Sequence, residues 1–178
     1  MEIFTNEVTD INNLPKYEEV QFTNLHPLYW KVILVKIMII SIASFSVLGF
    51  IMYFDVTYNK GILNSSDYKF QKFAGLLIII LMYFFFSKLS FKKKGFAFRN
   101  HDVLYRHGLI ATNTIIIPYN RIQNITLQEG VISRLYGLAK IEIFTAGESS
   151  SDINIPGIEK LQAENIKQLL MGKIQKEL

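Results

Sequence analysis

The 178-residue chain contains no cysteine. Disulfide staples, thiolate nucleophiles and Cys-ligated metals are therefore excluded. Histidine occurs three times. His26 lies beside Pro27 without a second ligand at metal spacing. His101-Asp102 and His107 share one strand and its turn, and need outside partners to converge on a substrate. No Gly-x-x-x-x-Gly-Lys pattern is present, so Gly147-Glu-Ser is not a phosphate loop. Ser149-Ser150-Ser151 lacks the strand–turn–helix elbow of a nucleophilic serine. These absences predict a protein that is not an enzyme and holds no cofactor or metal. The formal charge is only +4. That excess is small, dispersed and unaccompanied by a nucleic-acid motif, so nucleic acid is not an expected partner.

What the chain has is two long apolar runs. Val32 to Phe54 makes 23 residues, about 34 Å of helix, enough to cross a bilayer with some tilt. Its one charge, Lys36, is one turn from the start and can snorkel outward. Ser41, Ala43, Ser44, Ser46 and Gly49 are small enough to admit a neighbouring helix. The second run is Phe73 to Phe91, with Lys88 near its end. Residues 1–31 read as a polar, acidic tail ending in an interfacial anchor, Tyr29-Trp30-Lys31. That leader is too long and acidic for a cleaved signal peptide. The expected organisation is a tail at 1–31, a transmembrane hairpin at 32–91 and a soluble domain at 92–178. Between Lys88 and Arg106 stand six Lys/Arg and one acid, Asp102. Positive flanks stay on the cytoplasmic side. Both termini are thus expected in the cytoplasm, with residues 55–72 outside.

From Gly95 the apolar period becomes two. Phe96 and Phe98, then Val103 and Tyr105, alternate with other residues up to a turn at His107-Gly108. Ile115-Ile116-Ile117 is a buried-strand signal closed by Pro118. Arg121 to Gln128 changes parity between Ile122 and Ile125, which predicts a bulge near Gln123-Asn124. Ile132 to Tyr136 reads as a brief element, with Leu135 and Tyr136 in the core, ending at Gly137. Ile141 and Ile143 face inward on the next strand, and Pro156-Gly157 ends the strand of Ile153 and Ile155. Ile158, Leu161, Ile166, Leu169, Leu170 and Ile174 then give one apolar helix face. The whole predicts a bent antiparallel sheet of about seven strands, capped by a C-terminal helix and folding independently as residues 95–178.

Three stretches carry a family resemblance. They are Pro118-Tyr-Asn-Arg121-Ile122-Gln123, Glu129-Gly130-Val-Ile-Ser-Arg134-Leu135-Tyr136-Gly137, and Ile141-Glu-Ile143-Phe-Thr145-Ala146-Gly147. Together they resemble the bacterial pleckstrin-homology-like (PH-like) domain of YdbS-like membrane proteins. Glu129 stands where that family often has Gln. The resemblance spans residues 25–178 and implies an α+β, mainly β, PH-like domain behind a membrane hairpin in the bacterial inner membrane. It implies an interaction module rather than an enzyme, sometimes paired with a larger membrane protein carrying several such domains. Some members are linked with resistance to membrane-active antimicrobials.

Two surfaces are candidates. Arg121, Gln123 and Arg134 suit a protein partner or a second copy, because a guanidinium fork matches carboxylates. Lys92, Lys93, Lys94 and Arg99 suit anionic lipid headgroups beside the membrane. Pro118, Gly130, Gly137 and Gly147 read as structural turn positions, as does Gly108. The leading expectation is a protein-binding module, and the alternative an anionic-lipid sensor. A permeation role is disfavoured, because neither run has a central charge or a Gly/Pro break.

Overall fold

The computed structural model describes residues 19–58, 66–145 and 152–177. Gly147 and the Ser149–Ser151 run lie outside them. Two antiparallel helices come early: α1, Leu28–Tyr58, and α2, Ser66–Lys93. Both expose large apolar side chains along most of their length, as helices do when lipid is their solvent. Stretches Leu28–Asp55 and Phe70–Lys93 are long and apolar enough to cross a membrane. Polar groups inside α1 are satisfied locally, with Ser41 Oγ donating to the Ile37 carbonyl at 2.7 Å and Ser44 Oγ to Ile40 at 2.8 Å. Aromatic rings hold the pair together. Trp30 meets Phe84 edge-on at 5.5 Å, and Phe45 stacks on Phe73 at 6.1 Å. The small residues do not bring the helices into close contact. Ala43, Ser44 and Gly75 line an open groove of about 650 Å³, and Gly49 has open space around it.

The remaining chain forms two antiparallel sheets. The first has the order β1-β2-β3-β4, from Thr23–Asn24, Gly95–Phe98, Asp102–His107 and Asn113–Pro118. A single 3-10 turn, Tyr119–Arg121, leads into the second, β5-β6-β7, from Ile122–Gln128, Leu138–Thr145 and Ile153–Glu159. Helix α3, Val131–Leu135, links β5 to β6, and α4, Lys160–Glu177, packs on β5, β6 and β7. The register slips between Ile122 and Asn124, at the bulge that the parity change predicts. Val103, Tyr105, Ile117, Ile141, Ile143, Ile153 and Ile155 fill the space between the sheets, with Tyr119 fully buried among them.

Four expectations are revised. First, β1 precedes α1, and Leu25 is part of the core. The domain boundary at 92 and the self-sufficient 95–178 fragment therefore omit an edge strand and a core side chain. Second, the brief element at 132–136 is the helix α3. Gly130 is extended at φ −68°, while Gly137, at φ 65°, supplies the left-handed residue that ends a helix. Leu135 is exposed on α3, not in the core, and Tyr136 is half-buried. Third, β7 runs through Pro156-Gly157. Ile141 faces Ile155 and Ala139 faces Ile158, so two residues oppose Lys140 in a bulge. An edge strand tolerates proline at such a place. Fourth, α4 buries Ala163 and Leu170 with Ile166 and Ile174 partly covered, whereas Leu161 and Leu169 face outward.

Candidate functional site

A cleft opens where the hairpin meets the sheets. Its floor is the inner face of β3–β4, where Tyr105 lies opposite Ile115 and His107 follows two residues on. One wall is α1 with Tyr29 and Lys36, together with Lys94 at the junction of α2 and β2. The other is Lys140, Asn154 and Pro156 of the second sheet, with Asp152 just before β7. The volume of this open cleft is about 520 Å³, within the usual range for a small-ligand site. Tyr105 and His107 rings stack at 5.3 Å.

Three lysines and one carboxylate line this space. The carboxylate is engaged, since Asp152 Oδ2 accepts the Thr145 N–H at 2.8 Å. Lys140 Nζ is 2.6 Å from Glu142 and holds that carboxyl below its usual range. Neither Lys36 nor Lys94 forms an ion pair among the described residues. Burial pushes the Lys94 ammonium below its ordinary pKa, as expected of a cation withdrawn from water without a counter-ion. His107 Nδ1 is enclosed and has no hydrogen-bond partner among the described residues. Burial, reinforced by Tyr29, pushes the Tyr105 phenol up to about 12.

The cleft continues into a second space of about 380 Å³ between the helices, lined by Ile33, Tyr83, Phe86, Ser87, Ser90, Phe91 and Leu109. Tyr29, Lys36 and Lys94 border both. A cationic compartment therefore sits on an apolar one. Such a pair suits an amphiphile with a negative head, because each end meets its preferred surroundings.

The basic cluster expected from the sequence does not act as one surface. Arg99 is committed to Asp102, with Nε 2.6 Å from Oδ1, and this bond raises its pKa. Lys93 donates to the Leu109 carbonyl at 2.7 Å, and Lys92 is exposed. Lys94 alone of the four reaches the cleft. The second candidate set divides as well. Arg121 and Gln123 flank the start of β5, while Arg134 follows its end. From Gln123 to the end of β5 at Gln128 the strand advances five residues, about 17 Å at 3.3 Å per residue. All three are exposed. Glu129 and Glu142, the carboxylates nearest them in sequence, pair with Lys160 and Lys140 instead. Pro118 closes β4. Sequence reasoning gave Lys36 only a snorkelling role, set His107 aside as a base or metal ligand for want of outside partners, and passed over Lys140. The lone charge in the first apolar run was the one available signal.

These features define a class: a helical hairpin fused to a bent-sheet PH-like module with a ligand-sized cleft at the junction. The chain belongs to the bacterial PH domain family, whose model, described as Bacterial PH domain, matches residues 22–174. The match takes in β1 and the hairpin as well as the sheets. The chain is also 26% identical over 92 residues to "UPF0699 transmembrane protein YdbS" of Bacillus subtilis (strain 168). That alignment covers 52% of this chain and 56% of the relative, so the chain spans little more than half the length of the relative it matches. No solved structure matches the chain. The protein is a membrane protein with a bacterial PH-like domain.

Proposed function

We propose that this protein is a membrane-anchored module that recognises the anionic headgroup of a leaflet lipid. The carrying observation is that Lys36 and Lys94, without carboxylate partners among the described residues, border both a polar cleft and an apolar notch between the helices. The headgroup meets the lysines and His107, and an acyl chain lies along Ile33 and Phe86. The positive flank after α2 supports a place for the module on the cytoplasmic side of a bacterial inner membrane. Its role is binding rather than catalysis.

The test uses the full chain in nanodiscs of phosphatidylcholine with a minority of phosphatidylglycerol, followed by identification of retained lipid. The wild type retains phosphatidylglycerol above its bulk fraction. Lys36→Gln with Lys94→Gln removes about 2 kcal/mol of attraction at about 1 kcal/mol per lysine, about a thirtyfold loss. Equal retention of both lipids by the wild type overturns the reading.

A second reading rests on a groove of about 250 Å³ between β5 and α4, lined by Gln123, Asn124, Lys167 and Met171. It fits a protein partner, either a larger membrane protein with several such domains or a second copy, acting in a membrane-stress complex. Arg121→Ala and Gln123→Ala then abolish partner recovery without unfolding, and intact recovery removes this reading.

A further inference from the structure

The three most exposed large apolar side chains among the described residues are Ile110 at 94%, Val131 at 85% and Leu135 at 81%. All three exceed every large apolar residue of the two membrane-type helices. They do not belong to α4 or to an open sheet edge. Each lies on a segment that leans on the hairpin.

Ile110 tips the turn between β3 and β4. Gly108 makes that turn possible at φ 122°, where a side chain would collide with the Ala111 carbonyl. The turn is bound to the end of α2, because Lys93 Nζ donates to the Leu109 carbonyl. Leu109 itself reaches the notch beside Phe86 and Ser87 of α2. Ile110 therefore hangs level with the last turns of an apolar helix. Val131 and Leu135 lie four residues apart on α3, which puts them on one helix face. Helix α3 packs beside α1. Val32, in the second turn of α1, is fully buried, so protein surrounds the helix there.

Helix length sets the depth. The apolar stretch Leu28–Asp55 has 28 residues, about 42 Å of helix against a hydrocarbon core of about 30 Å. About 12 Å is left for the two headgroup layers. The first turns of α1, and with them α3, stand at the headgroup–acyl boundary. Arg134 is exposed on the same short helix, placed for a cation to reach phosphates while its neighbours enter the apolar layer.

We infer that Ile110 on the α2 side, and Val131 with Leu135 on the α1 side, insert into the bilayer that the hairpin crosses. The domain is then seated on the membrane at two points besides its covalent connections. The occupant of these apolar positions is lipid, because each lies on a segment held against the hairpin that crosses the bilayer. The seating is independent of headgroup choice, so it stands or falls separately from the function proposed above.

Because the chain has no cysteine, single labels can be placed cleanly. The full chain carrying Ile110→Cys, Leu135→Cys or, as control, the exposed Gln168→Cys is labelled with an environment-sensitive fluorophore. It is then reconstituted in phosphatidylcholine vesicles, with and without phosphatidylglycerol. Labels at 110 and 135 are expected to be blue-shifted, quenched by lipids bearing a nitroxide on the upper acyl chain, and shielded from aqueous iodide in both compositions. The label at 168 is expected to show the reverse. Iodide quenching at 110 or 135 as complete as at 168 overturns the inference. Shielding from both iodide and the nitroxide lipid also overturns it, since it means that protein, a second copy included, covers these positions.

Discussion

Tyr29 stands over Gly157 so closely that a methyl group on the glycine would lie 2.5 Å from the ring carbon Cγ. The neighbouring His26 N–H donates to the Gly157 carbonyl at 2.9 Å. These contacts join the start of α1 to β7 without an intervening flexible joint. Gly157→Ala combines a positive φ of 67° with this collision. The expected loss is about 2–5 kcal/mol, read as a lower melting temperature of the strand signal in detergent.

On α4, adjacent leucines have opposite weight. Leu170 is 0% exposed and Leu169 is 50% exposed. Leu170→Ala is expected to lose about 2–5 kcal/mol, and Leu170→Asp to unfold the domain, since it buries an unpaired carboxylate. Leu169→Asp is expected to cost about 1 kcal/mol or less. Denaturant midpoints of the three variants check the ranking.

The contrast between these leucines marks how far the sequence could be read. The period of α4 identified a helix and an apolar side, but 169 and 170 stand about 100° apart within that broad apolar arc, and only the position of the sheet chooses between them. The bulge at Ile122–Asn124 was legible because a parity change is local. Strand β1 was not legible, since two residues, Thr23 and Asn24, carry no period. The cleft was hidden for a related reason. Lys36 and Lys94 are 58 positions apart, and only the hairpin brings them together. Leu135 was expected in the core because it is apolar. A sequence pattern cannot tell a protein interior from a lipid one.

The raised pKa of Tyr105 gives a signature at high pH. Its folded value of about 12 exceeds the ordinary 10.0. Below 10 the tyrosine is neutral in both states and its contribution is fully present. Above 10 the unfolded chain loses the proton first, so stability falls as pH rises through 12. Phenolate absorbance should show a late-ionising component, and Tyr105→Phe should diminish it. An unchanged titration would refute the assignment.

Lys94 predicts a pH dependence of binding. Its pKa lies below the ordinary 10.5 through burial, and a bound anion would raise it again. Binding should therefore take up protons at alkaline pH and weaken as pH rises through the free-state value. Lipid retention measured from neutral to alkaline pH checks this. The Lys94→Gln variant should lose that part of the slope.

Orientation is testable by fusion. A reporter after the C-terminus is expected to be active only in the cytoplasm, and one inserted at residue 62 only outside. The reverse pattern would place the cleft on the opposite leaflet.

The pairing of Thr23 with Phe96 and Asn24 with Gly95 has a consequence for biogenesis. The first strand of the sheet leaves the ribosome about seventy residues before its partner, with the whole hairpin made in between. It has nothing to pair with until both helices are inserted and the chain has returned to the side from which it started. Completion of the sheet would thus report that both helices had been inserted. A chain that inserts only one helix leaves β1 stranded across the membrane from β2, with Leu25 missing from the core. Such a chain would present an unfinished domain to the proteases that clear failed membrane proteins.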